Sequence, residues 1–155
     1  MSLSFISQSP EDTFALGMQL GALIETPILI TLDGDLGAGK THFVQGLAKG
    51  LDILDIPRSP TFSIMEEYKG RVLLLHVDLY RLEEEDLEPL GLEEQLEDWE
   101  GVIAVEWAKK FPHILPIEPL AIHIQHNGEP RHVHFSGVEH RDLLKNLEKR
   151  CAFLS

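Results

Sequence analysis

The sequence predicts a single α/β domain spanning residues 1–155, in which helices flank a mixed β-sheet. Three observations carry that prediction. The apolar run Ile28 to Leu32 leads straight into a glycine-rich segment that opens a helical pattern. Residues 64–68 and 71–77 read as two strands turned at Lys69-Gly70, an antiparallel hairpin. Further apolar strands at 101–105 and 120–125 alternate with helical stretches, as expected where helices cover a sheet that is partly parallel and partly antiparallel.

Taken in order, Ser9-Pro10-Glu11-Asp12 is a helix start, with a capping serine, proline at the first helical position and carboxylates in the first turn. That helix runs to about Ile24. No element is assigned before Ser9. After Pro27 comes the buried strand Ile28 to Leu32, then a helix in which Phe43, Val44, Leu47, Ala48 and Leu51 fall at helical spacing. Asp55 to Pro60 holds two prolines and must be a connector. Glu84 to Asp98 is helical with a break at Pro89-Leu90-Gly91. Asn127-Gly128 turns the strand Leu120 to Gln125 toward another at Arg131 to Phe135, and His140 to Phe153 closes the chain as a helix.

The segment Gly34-Asp35-Leu36-Gly37-Ala38-Gly39-Lys40-Thr41 satisfies the phosphate-binding pattern at every required position, making the domain P-loop NTPase-like. Glycines let successive amides turn inward around an anion without Cβ clashes. Lys40 then supplies a mobile cation for the β- and γ-phosphates, and the Thr41 hydroxyl a ligand for Mg²⁺. The expected ligand is therefore a nucleoside triphosphate with magnesium. Two acids sit where α/β folds place ligand groups, at the carboxyl ends of apolar strands: Asp78 after Val77, and Glu106 after Val105. Either can hold the metal while the other polarises water. Ser59-Pro60-Thr61 offers a hydroxyl and an amide on a fixed backbone, a candidate γ-phosphate switch that taken alone is simply a turn.

Composition narrows the classes. A hydrophobic share of 43% and a charged share of 25% are ordinary for a globular domain. No apolar stretch reaches the roughly 18 residues of a membrane span, and the chain reads as cytoplasmic. The lone Cys151 has no intrachain disulfide partner, and no motif around it marks a reactive thiol. The net charge is −13, and the ten acidic residues between Glu83 and Glu100 are interrupted by no Lys or Arg. Such a surface repels a phosphate backbone, so independent tight nucleic-acid binding is not expected. It fits either a solvated helical face or a docking surface for a basic partner. The eight histidines show no metal-ligand spacing, although His132 and His134 alternate along a strand.

In order and rough spacing, Gly34 to Thr41, Ser59-Pro60-Thr61, His76-Val77-Asp78-Leu79-Tyr80-Arg81-Leu82, Gly91-Leu92 and Val105-Glu106-Trp107 resemble the bacterial TsaE (YjeE) family over nearly the whole chain. The resemblance implies a small ATPase that assists TsaD and TsaB in forming threonylcarbamoyladenosine on tRNA, at the adenosine beside the anticodon, without being the carbamoyl transferase itself. By position it implies that Leu36, Gly37, Ala38, Gly39, Lys40 and Thr41 bind the ATP phosphates. Thr41 and Glu106 would ligate Mg²⁺, Asp78 would support hydrolysis, and Thr61 would belong to the nucleotide-responsive loop. Trp107 would lie beside the site, as a nucleotide contact or as a core aromatic. The segment from Glu11 to Thr13 would fall near the adenine, and Arg131 matches an arginine late in the family pattern. His42 departs from that pattern, which commonly has a second threonine there; the change should affect helix packing or local charge more than catalysis.

Other classes fit less well. A GTPase needs a guanine-reading Asn-Lys-x-Asp segment, and none exists. A small-molecule kinase usually needs an arginine-rich lid, whereas these arginines are widely spread. A pure binding module, in which ATP only sets conformation, would use the acidic 83–100 segment as its working surface.

Overall fold

The structure, a computed structural model, describes residues 2–25, 27–35, 37–57, 64–126 and 130–154. The described residues form seven strands: β1 (Ser2–Ser7), β2 (Ile28–Asp33), β3 (Met65–Lys69), β4 (Leu73–Asp78), β5 (Val102–Glu106), β6 (Leu120–Gln125) and β7 (Arg131–Ser136). The helices are α1 (Pro10–Leu23), α2 (Lys40–Gly50), α3 (Glu84–Leu90), α4 (Leu92–Asp98) and α5 (Arg141–Arg150). One mixed sheet carries all seven strands in the order β1-β7-β6-β2-β5-β4-β3. Its centre, β6-β2-β5-β4, is parallel, while β3, β7 and β1 each run antiparallel to the strand beside them.

Both faces of the centre are covered, which is why β2 and β5 read as unbroken apolar runs rather than alternating ones. Ile28, Ile30 and Leu32 pack with Phe43, Leu47 and Leu144 in the layer of α1, α2 and α5. Leu29, Ile103 and Val105 pack on the other face against Leu87, Leu92 and Leu96 of α3 and α4. Among the described residues no helix is long and apolar enough to cross a membrane.

Helix α1 starts as expected: the Ser9 hydroxyl accepts from the Asp12 amide at 3.2 Å, with Pro10 in the first turn. Its packing on α2 is unusually close. Gly17 and Gly21 face the carbonyls of Phe43 and Leu47, while Gly46 and Gly50 face those of Phe14 and Met18. A Cβ at any of the four would fall inside van der Waals contact with backbone, so glycine at these i,i+4 pairs lets the two helix backbones touch. The far ends of both helices are tied by Arg71, which donates to the carbonyls of Ile24 (2.7 Å), Gly21 (2.9 Å) and Gly50 (3.2 Å). Carbonyls at a helix C-terminus are short of intrahelical donors, and although the Gly21 carbonyl also accepts the Ile24 amide at 3.2 Å, a guanidinium suits this end of the helices.

The structure adds one strand and corrects one expectation. Strand β1 had not been assigned: Leu3 is buried, pairs with Phe135, and lies on the same strand face as Phe5. The 84–98 stretch breaks where expected, into two helices, because Gly91 takes a left-handed φ of 60° just after Pro89. The last helix ends at Arg150, and Ala152–Leu154 forms a short 3-10 turn instead of a further helical turn. Cys151, at that junction, is fully buried, and burial pushes its thiol pKa up to about 11.

Because the Phe14 carbonyl is backbone and cannot step aside alone, Gly46→Ala should lower stability by about 3 kcal/mol. A urea unfolding series checks this; an unchanged midpoint would mean the helices separate without cost.

Candidate nucleotide site

The glycine-rich loop leaves β2 at Asp33 and enters α2 at Lys40. Gly37 and Gly39 take φ values of 81° and 110°, a region that side chains rarely allow. Among the described residues, the vacant Cβ position of Gly37 meets nothing within 4 Å, so none of them covers the loop on that side. Helical bonding begins with the Phe43 amide on the Gly39 carbonyl at 3.0 Å. The first-turn amides therefore have no intrahelical acceptors, and with the helix dipole they make an anion-binding end.

Lys40 is buried, its ammonium bonded to the Gly34 carbonyl at 2.5 Å and held 4.1 Å from the centre of the Trp107 ring. Burial pushes the Lys40 pKa down, opposed by the charges of Glu106, Asp78, Asp33 and Asp35. Asp78 and Glu106 are direct register partners on β4 and β5, and Glu106 in turn lies beside Leu32 of β2. Asp78 is half-buried and accepts the Tyr80 amide at 3.0 Å; burial pushes its pKa up, the neighbouring Glu106 charge adds to the rise, and that hydrogen bond opposes it. Four carboxylates thus surround one partly desolvated ammonium. Chemically this is a place for a cation beside a place for an anion. Among the described residues no three His, Cys, Asp or Glu side chains form a ready metal cage.

The remaining expected residues are placed as follows. Thr41 is half-buried in the first turn of α2, next to Lys40. Arg131, at the start of β7, donates to the Gly37 carbonyl at 3.2 Å. The vacant Cβ position of Gly39 lies 3.6 Å from the Thr13 methyl and 3.8 Å from Arg131 Cδ, so both flank the loop. The Thr13 hydroxyl is buried against that of Ser7 at 2.7 Å, while Glu11 is exposed in the first turn of α1. Ala38 is buried under the loop, and His42 is exposed, so its effect is on local charge and not on packing. Leu36 and Thr61, with Ser59 and Pro60, lie outside the described residues. Trp107 is half-buried with a left-handed φ of 61°, and its ring meets that of Tyr80 at 4.8 Å between centres.

Two residues had not been singled out. Lys110 donates to the carbonyls of Tyr80 (2.7 Å) and Leu82 (2.8 Å), pinning the segment that follows Asp78. His76 is fully buried, with Nε2 2.6 Å from Glu106 Oε2. The available signal was position: a lone polar residue in an apolar strand, two before Asp78 and hence on the same face.

A central parallel strand, a loop with left-handed glycines and a helix opening on lysine, opposite acids at neighbouring strand ends, define a P-loop NTPase-like domain. The family model described as "Threonylcarbamoyl adenosine biosynthesis protein TsaE" matches residues 7–133. A tRNA threonylcarbamoyladenosine biosynthesis protein TsaE from Bacillus subtilis (strain 168) is 43% identical over 141 residues, covering 90% of this chain and 88% of that one. Its counterpart from Nostoc sp. is 47% identical over 107 residues, 66% of each chain. A crystal structure of Bacillus subtilis YdiB superposes with a TM-score of 0.77 at 34% identity, covering 97% of this chain and 96% of that one. The chain belongs to the TsaE family.

The cation held on Trp107 makes that indole a reporter. In a Trp99→Phe background, Lys40→Met should shift Trp107 fluorescence emission in the absence of any nucleotide. An unchanged spectrum would show that the ammonium is not seated on the ring.

Proposed function

We propose that the chain is an accessory ATPase of tRNA threonylcarbamoyladenosine formation, binding ATP with Mg²⁺ and acting on TsaD and TsaB. The observation that carries this reading is the meeting of a glycine loop and helix N-terminus with Lys40, Asp78 and Glu106 at the ends of three adjacent parallel strands. The surplus of carboxylates around Lys40 fits a divalent cation, and first-turn amides without intrahelical acceptors fit phosphate. Family membership supports the tRNA-modification role.

In this reading the amides of residues 36–41 cradle the phosphates, and Lys40 exchanges the Trp107 face and the Gly34 carbonyl for phosphate oxygen. Thr41 and Glu106 are the residues that would hold Mg²⁺, which when bound would supply positive charge to the phosphates. Asp78, the acid whose proton affinity is raised, orients the attacking water and accepts its proton. Arg131 adds positive charge beside the loop. Residues 11–13 lie toward the adenine, with Thr13 bracing the loop through its methyl group. Thr61 reports the γ-phosphate, and its release after hydrolysis changes affinity for the TsaD-TsaB complex. Hydrolysis by the chain alone is slow, because the partners complete the site.

Lys40→Ala should weaken ATP binding about 100-fold, measured by calorimetric titration with Mg·ATP, since a charged contact is lost. Glu106→Ala should reduce Mg-dependent hydrolysis more than nucleotide affinity; equal losses would reject its assignment. TsaD and TsaB together should stimulate hydrolysis by the wild-type chain. No stimulation would point to a solitary ATPase or a kinase, and saturable binding without hydrolysis to a pure binding module.

A further inference from the structure

Resting on the nucleotide-site reading above, we propose that His76 is a positioning residue for that site: its Nε2–H holds Glu106 Oε2 and so presents the other carboxylate oxygen for the metal. Both groups are buried, at 0% and 3% exposure, and the contact is 2.6 Å. An ionised carboxylate only accepts hydrogen bonds, so the ring proton sits on Nε2. His76 Nδ1 is buried with no hydrogen-bond partner among the described residues. A lone pair suits that enclosed position better than an N–H without an acceptor, which puts the ring proton on Nε2.

The placement follows from the strands. On β4, Leu74, His76 and Asp78 alternate with Leu75 and Val77 and share the face that carries Ala104 and Glu106 on β5. The fold alone gives no reason for imidazole at this position, since Leu74 fills the equivalent place one step earlier and an apolar side chain carries no desolvation cost. What imidazole adds is a donor on the strand that brings Asp78 beside Glu106. With two carboxylates side by side, Glu106 is free to rotate away from its neighbour unless something fixes it. A hydrogen bond to one oxygen removes that freedom, as outer partners do for metal-binding carboxylates generally.

The test compares His76→Leu, which fills the space without a donor, with His76→Gln, whose amide N–H reaches the Nε2 position. Mg²⁺ is titrated into ATP hydrolysis by the chain with TsaD and TsaB, and ATP binding is measured separately in EDTA. His76→Leu should raise the half-saturating Mg²⁺ concentration about tenfold while leaving metal-free ATP affinity within about twofold, and His76→Gln should recover most of the loss. An unchanged Mg²⁺ titration for His76→Leu, or His76→Gln behaving no better than His76→Leu, overturns the proposal. Should His76→Leu fail to fold, His76→Gln still tests it: near-wild-type Mg²⁺ dependence is expected, and a tenfold rise overturns it. Long-range ¹H–¹⁵N NMR of the wild-type chain tests the tautomer without nucleotide or metal; a ring protonated at Nδ1 alone overturns the proposal independently. A wild-type chain that shows no Mg-dependent hydrolysis with its partners present would overturn the nucleotide reading itself, whereas an active wild type with an unaffected His76→Leu sinks only the role of His76.

Discussion

The parallel register of β2, β5 and β4 is the constraint on which the rest depends. It sets Leu32 beside Glu106 and Glu106 beside Asp78, so that three strands end at one level where the glycine loop begins. The strands are largely apolar up to that level because both faces of the sheet are covered, with buried Thr31 and His76 the polar residues inside β2 and β4. On these three strands the carboxylates stand at the end of the sheet where a helix N-terminus and an ammonium can answer them. A one-residue slip of β4 would move Asp78 to the opposite face and put Val77 in its place.

The second layer of control comes from α1 and α2. Their glycine contact brings the start of α1 close enough for Thr13 to reach Gly39, and Arg71 fixes the other ends of the same helices. The loop is therefore supported from behind, by Thr13 and Arg131, and no described residue covers it in front at Gly37. Lys40 is the adaptable part: its present bonds to Trp107 and the Gly34 carbonyl use the same ammonium that a phosphate would claim. On the proposed reading, the site combines a rigid backbone with one exchangeable cation.

Much of this was legible from the residues because it is local. The strand, glycine loop and helix from Ile28 to Leu51 follow one another without a gap, and their spacing alone orders them. The hairpin at Lys69-Gly70 and the break near Gly91 also announce themselves through turn chemistry. What was not legible depends on contacts distant in sequence. The strand β1 is short and half serine, and only its pairing with β7 makes Leu3 and Phe5 core residues. The pairs Gly17/Gly21 and Gly46/Gly50 look like weak points in helices until the two helices are laid together. His76 and Glu106 are thirty residues apart and meet only through the β4-β5 register. Lys110 stabilises a segment it follows by almost as many residues, through backbone carbonyls that no sequence pattern marks.

Cys151 carries a practical consequence. The chain's single thiol is enclosed behind α5 and is held protonated well above neutral pH, so a maleimide or iodoacetamide reagent meets almost no thiolate and no access. Spectroscopic probes can accordingly be attached through cysteines introduced at exposed positions of α3 or α4, with the native sulfur left in place and the hydrophobic packing around it undisturbed.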